Sequence, residues 1–293
     1  MPALMIDGHT SNYEKGTTYE TVANEYQEAY HNTIALIYIN GKMRELSKKV
    51  DRDGVLTFIT TKDATGHKTY CRTAEMMLVK AVSDCYGPGV HVKIEFSIGN
   101  GYYCQVVDSD VPVDDAFAAA IEKRMMEMAE AEMPIVKKTY PIDDAIALFE
   151  RQGMADKVKL FHFRRSSTIN VYNLDGYFDY YYGYMLPGTG YVRKFHVEAY
   201  SGGLMLVLPT EDNPDVVEEF RDSRHLFETL KLSQDWGDLV DIANVGDLNE
   251  RICQGSINDM ILVQEALQER RIGEIAGMIN DRENVKFVLI AGP

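Results

Sequence analysis

The sequence predicts an α+β chain in three successive blocks: a small β-grasp-like unit, a larger antiparallel-sheet unit, and a helical connector. Three observations carry this prediction. Apolar runs of strand length, bounded by Gly- and Asn-containing turns, recur through the first 209 residues. Helical spacing with cap residues interrupts them at a few places only. After a polar break at EDNPD (211–215), the chain turns charge-rich and keeps helical spacing almost to its end.

Residues 1–62 form the first block. TYETVANEY (18–26) places Val22, Ala23 and Tyr26 on one helical face, with Thr17 or Thr18 as N-cap. TIALIYINGKMREL (33–46) reads as a hairpin around an Asn40-Gly41 turn, and GVLTFITTKD (54–63) as another strand. Strands gathered around one helix in about sixty residues fit a β-grasp-like unit.

Residues 63–209 form the second block. AEMMLVKAVSDCY (74–86) is helical, with Met77, Leu78, Ala81 and Cys85 near one face. VHVKIEFSIGNGYYCQVV (90–107) is a hairpin turning at Asn100-Gly101. Asp114 or Asp115 caps a long helix through Glu132 that carries Phe117, Ile121, Met125 and Met128 at helical spacing. Its methionines read as core filler. DDAIALFERQG (143–153) is a short helix stopped by Gly153. Strands are expected at 157–165, 168–176, 177–185, 191–200 and 203–209.

Residues 210–283 are the helical connector. Gly255 stops one helix and Ser256 caps the next, which carries Met260, Val263, Leu267, Ile272, Ile275 and Ile279. The terminal VKFVLIAGP (285–293) is an apolar, largely β-branched run that suits a strand buried on both faces. A strand running into glycine is also how a phosphate-binding loop begins, and Gly292 is the only member of such a loop present.

Composition narrows the function classes. Lys and Arg number 30 against 45 Asp and Glu, a net charge of −15, so general polyanion binding is disfavoured and any nucleic-acid contact needs a local basic patch. Cys71, Cys85, Cys104 and Cys253 show no C-x-x-C pair or metal-type spacing, which fits a reduced, cytoplasmic protein. No apolar stretch approaches a membrane span, and the start lacks a signal-peptide pattern.

From KGTTYETVANEY through IALIYINGKMRELSKKVDRDGVLTFITTKDATGHKTYCRTAEMMLVKAV, IGNGYY (98–103), DDAIALF (143–149) and YFDYYYGYMLPGTGYVRKFHV (177–197), the succession of features resembles the front of the threonyl-tRNA synthetases. That resemblance covers roughly residues 10–209 and implies a TGS domain followed by an editing-type second additional domain. In the family, the second domain hydrolyses mischarged tRNA with an H-x-x-x-H and a C-x-x-x-H pair. By resemblance those four positions fall on Arg72, Met76, Tyr181 and Met185, while Asp179, Gly183, Pro187, Thr189 and Gly190 keep the surrounding scaffold. Arginine repels a cation, a thioether is a poor zinc ligand and tyrosine titrates near 10 (roughly), so neither a metal site nor a general base is expected there.

The helical connector followed by 284–293 is similar to bacterial uridine-kinase-like nucleoside kinases, in which TGS and synthetase-like domains precede a P-loop kinase. The resemblance implies a kinase domain beyond Gly292, with ATP and Mg²⁺ belonging to it and no cofactor in residues 1–293. The main expectation is therefore a non-catalytic accessory region of a nucleoside kinase that leaves mischarged tRNA intact. A tRNA-binding or deacylating editing module is the alternative, and a self-associating structural module a further one.

The expected pocket comprises Arg72, Met76, Lys80, Asp179, Tyr181 and Met185. Tyr177, Phe178, Tyr180, Tyr181, Tyr182, Tyr184 and Tyr191 crowd this region, and aromatic faces with an arginine suit a nucleotide or tRNA. The same tyrosines equally suit burial of alternate strand residues. His162 and His196 read as strand-packed. Lys157, Lys159, Arg164 and Arg165 are a basic cluster that fits either RNA phosphates or a solvated strand face.

Overall fold

A computed structural model of the chain describes residues 1–289. The first sheet contains β1 (Ala3–Ile6), β2 (His9–Asn12), β3 (Ile34–Ile39), β4 (Lys42–Glu45) and β5 (Gly54–Thr60), in the order β2-β1-β5-β3-β4. Only the β1–β5 pair is parallel. Helix α1 (Tyr19–Tyr26) crosses the sheet, and the Thr18 hydroxyl caps it by accepting from Thr21 N at 3.2 Å. Asn40 (φ 49°) and Gly41 (φ 77°) turn β3 into β4 with positive φ at both central residues, as a tight two-residue hairpin requires. The sequence expectation omitted the β1–β2 hairpin, whose four-residue strands are too short to display alternation.

Helix α2 (Ala64–Tyr86) runs through the centre of the next layer and begins ten residues earlier than its apolar period predicts. Residues 64–73 are poor in strong helix formers, yet tertiary packing holds them helical. Thr69 and Thr73 donate their hydroxyls to the carbonyls four residues back, each at 2.8 Å. Gly66 lies so close to β5 that a Cβ would approach Thr60 O to 1.9 Å.

Two antiparallel sheets flank this helix. One comprises β6 (His91–Ile98), β7 (Gly101–Val107), β11 (His196–Tyr200) and β12 (Gly203–Val207) in the order β11-β12-β7-β6. The other comprises β8 (Ile135–Pro141), β9 (Thr168–Leu174) and β10 (Tyr177–Asp179) in the order β10-β9-β8. The β6–β7 register pairs Ile98 with Gly101, so the turn is Gly99-Asn100, one residue earlier than expected. Helix α3 (Asp115–Glu130) packs on α2, and its Asp114 N-cap accepts from Phe117 N at 2.9 Å. Helices α4 (Ile142–Arg151) and α5 (Ala155–His162) form a hairpin beside β9.

Of the strand expected at 191–200 only 196–200 forms, with His196 exposed on it, and two further expected strands are corrected. Residues 157–165 are largely helix α5, because Phe161 turns inward onto Phe149 at a ring distance of 5.3 Å and onto the buried α4–β9 cluster. The K-V-K-L-F-H alternation mimicked a strand, and His162 is consequently an exposed residue at a helix end. Of residues 177–185 only three are strand, after which the chain leaves the sheet in an irregular course to Thr189. Strand β8 lacked a sequence signal because its K-K-T-Y stretch carries two adjacent lysines and no apolar alternation.

Helices α6 (Arg224–Leu239), α7 (Val245–Cys253) and α8 (Ile257–Asn280) follow, and α8 buries none of its residues. Residues 284–289 lie outside any helix or strand, with Phe287 95% exposed, so the strand expected there is not formed among the described residues. Gly292 lies outside the described residues. No helix among the described residues is long and apolar enough to cross a membrane.

Candidate functional site

Helix α2, strand β6, the start of α5 and the chain leaving β10 enclose a cleft of about 330 Å³, with Asn244 at its edge. Four carboxylates line it, Glu75, Glu95, Asp156 and Asp179, against two ammonium groups, Lys93 and Lys157. Helical spacing puts Glu75 and Val79 on the same face of α2, one turn apart. Asp179 ends β10 opposite Tyr172 of β9, which fixes its position at the cleft floor. Lys157, in the first turn of α5, reaches Asp179 at 3.2 Å and Asp156 at 3.7 Å.

The electrostatics follow from burial. Burial pushes the Glu75 carboxyl up to about 7; Arg72 one turn away opposes this and Asp179 adds to it. Glu75 has no hydrogen-bond or ion-pair partner among the described residues. Burial works against the Lys157 ammonium, but Asp179 and Asp156 outweigh it and hold its pKa above the usual lysine range. Burial, then Asp179 and Glu75, holds the Tyr181 phenol well above its ordinary range, so it is a neutral hydrogen-bonding group.

Of the expected pocket residues, Asp179 and Tyr181 line the cleft. Arg72 lies beneath the 181–185 segment and donates to Tyr184 O at 3.1 Å. Gly183 (φ 144°) admits that guanidinium, since a Cβ there would stand 2.5 Å from Arg72 Cζ. Lys80 is 7% exposed and ion-paired with Asp84, with Asp175 at 3.8 Å, outside the cleft. Met76 and Met185 are fully buried in the main core, where apolar thioethers pack favourably, so neither faces the cleft as expected. Among the described residues no group of three or more His, Cys, Asp or Glu side chains is placed to hold a metal ion.

Glu75, Asp156 and Asn244 escaped the sequence reading. A lone carboxylate between Ala74 and Met76, inside a helix buried almost all round, was the available signal for Glu75. Lys157 was noticed only as part of a basic strand, and the true helix directs it to Asp179.

An arginine stands against one of the cleft residues. Tyr180 lines the cleft, and Arg164 lies over its ring at 5.1 Å while donating to its hydroxyl at 2.6 Å. Arg151, Arg164 and Arg165 are exposed and make no ion pair among the described residues. Arg151 ends α4, whose next residue, Gln152, exchanges two 2.9 Å hydrogen bonds with Phe178. Tyr182 stands 86% exposed. Lys159, by contrast, is taken up by Asp247 at 2.7 Å.

A larger groove of about 610 Å³ opens between α3 and β11. Two of its polar groups satisfy each other: Glu122 binds His196 Nδ1 at 2.8 Å and also accepts from Val197 N at 2.8 Å. The smaller cleft holds the unpartnered Glu75 carboxyl beside two tyrosines, one of them under Arg164, and it is the candidate site.

No family model matches the chain. Among curated proteins, it is 29% identical over 196 residues to a threonine–tRNA ligase of Syntrophotalea carbinolica, covering 67% of this chain and 31% of that protein. It is 26% identical over 197 residues to the threonine–tRNA ligase of Porphyromonas gingivalis, covering 67% and 30%. The enzyme of that name from Acidiphilium cryptum is 30% identical over 192 residues, covering 65% and 30%. The chain thus spans about a third of the length of the relatives it matches.

Proposed function

We propose that the chain recognises the aminoacylated 3′ end of a tRNA, with the amino acid's ammonium in the carboxylate cleft and the RNA strand on the arginine–tyrosine rim. The observation that carries this reading is the juxtaposition of opposite charges. The cleft has four carboxylates against two ammonium groups, while Arg164, without a carboxylate partner among the described residues, lies over the ring of the cleft residue Tyr180. A ligand fitting both must be cationic at its head and polyanionic along its tail. An amino acid esterified to RNA has that form, and tyrosine and arginine faces suit single-stranded nucleotides. Similarity to threonine–tRNA ligases supports the same substrate class.

The nucleoside-kinase accessory role expected from the sequence rests on the helical connector together with residues 284–293, and the described part of the latter forms no strand. The relatives reported above do not support it, and tRNA recognition is preferred.

Filter binding at fixed salt tests the proposal with threonine-specific tRNA, charged and uncharged. The charged form should bind about tenfold more tightly, roughly 1.4 kcal/mol. Equal affinity, or no binding of either, would refute it.

A further inference from the structure

Glu45 is 3% exposed, although it belongs to the edge strand β4 of the N-terminal sheet. Its carboxylate reaches out of that sheet and gathers donors from three other elements. Lys137 Nζ of β8 lies at 3.1 and 3.2 Å from its two oxygens. The Tyr172 hydroxyl of β9 lies at 2.6 Å and the Met185 backbone N–H at 3.2 Å. The Tyr172 oxygen also stands 2.9 Å from Gly183 O. A hydroxyl has one proton to give, so the Glu45 carboxylate and the Gly183 carbonyl compete for it.

The segment from Gly183 to Leu186 is therefore held by four side chains: Arg72 on Tyr184 O, Thr73 on Leu186 N, Tyr172 and Glu45. Glu45 alone comes from the N-terminal sheet. Two residues before this segment stands Tyr181, which lines the cleft.

We propose that Glu45 is a positioning residue through which the N-terminal sheet sets the course of residues 181–185, and with it the shape of the cleft. Its bearing on ligand binding rests on the tRNA reading above, whereas its hold on the segment does not. A buried carboxylate shared by three donors permits few arrangements, because a displaced donor would be left buried and unpaired. Movement of β4 is thereby transmitted to the backbone at Met185, and a ligand on Tyr181 acts back on the N-terminal sheet by the same linkage.

Hydrogen exchange on the full chain tests this with E45Q and with E45Q/K137M, which removes the ammonium along with the carboxylate. Both should speed exchange of the Met185 amide, which Glu45 accepts, at least about tenfold, while Leu186, held by Thr73, and the strands β9 and β12 keep their wild-type rates. Uniform acceleration throughout the chain, acceleration confined to β4, or no change would each overturn the proposal. Failure of both variants to fold would also overturn it, by making Glu45 a requirement of folding and not of segment position. E45Q should also abolish the preference for charged over uncharged threonine-specific tRNA without weakening the uncharged form, a split that general destabilisation does not produce. If the wild-type chain binds neither form, the proposed function fails and the exchange pattern still decides the role of Glu45.

Discussion

Glu75 is where the chemistry of the cleft can be read by titration. Its carboxyl has an ordinary value of 4.5 and is pushed up to about 7 in the folded chain, chiefly by burial. Between those values the folded chain retains a proton that the unfolded chain has released, so stability falls as pH rises through that window. Replacement by glutamine removes this slope. E75Q should match wild type near pH 4.5 and exceed it by about 1–3 kcal/mol near pH 8, measured as the difference between urea unfolding curves at each pH. An equal gap at both pH values would contradict the assignment. The residue was invisible to a resemblance-led reading, which looked at Arg72 and Met76 on either side. Physical context identifies it: a single carboxylate between fully buried neighbours needs a reason.

At the scale of elements, α5 decides how the site is built. As a strand, residues 157–165 would have presented Lys157, Lys159 and Arg165 on one solvated face. As a helix, they separate into roles: Lys157 goes into the cleft, Lys159 to Asp247 of α7, and Arg164 onto Tyr180. Asp179 is 5% exposed and Lys157 is its only ion-pair partner among the described residues, so removing the ammonium leaves a buried charge. K157M should cost about 2–3 kcal/mol in chemical denaturation, and K157M/D179N should regain most of it. Failure of the second change to restore stability would mean that the pair is not coupled.

Legibility in the sequence followed the same line. The Asn40-Gly41 hairpin and the capped helices α1 and α3 were readable because local chemistry fixes them. The first ten residues of α2, strand β8 and helix α5 were not, because packing against distant elements overrides weak or misleading local patterns. Of the residues singled out from the sequence, Asp179 and Tyr181 line the cleft, whereas Met76 and Met185 belong to the core.

Over the whole molecule, a net charge of −15 sets the terms on which RNA can approach. Long-range attraction is absent, and contact depends on a few arginines. Affinity for uncharged threonine-specific tRNA should therefore fall only gently with salt. Replacing Arg164 and Arg165 by alanine should reduce the slope of log K against log salt by about 2. An unchanged slope would move the RNA to another face. The cleft then adds its preference for a positive head group, which salt weakens less because the pairs are partly buried.

That preference can be isolated by a change of one functional group on the ligand. Acetylating the amino group of threonyl-tRNA removes its positive charge and leaves the RNA intact. Binding of the acetylated form should drop about tenfold, to the level of uncharged tRNA, because an amide cannot offer the carboxylates of Glu75 and Asp179 an ammonium. Equal affinity of the acetylated and free-amine forms would contradict recognition of the amino acid's charge by this cleft.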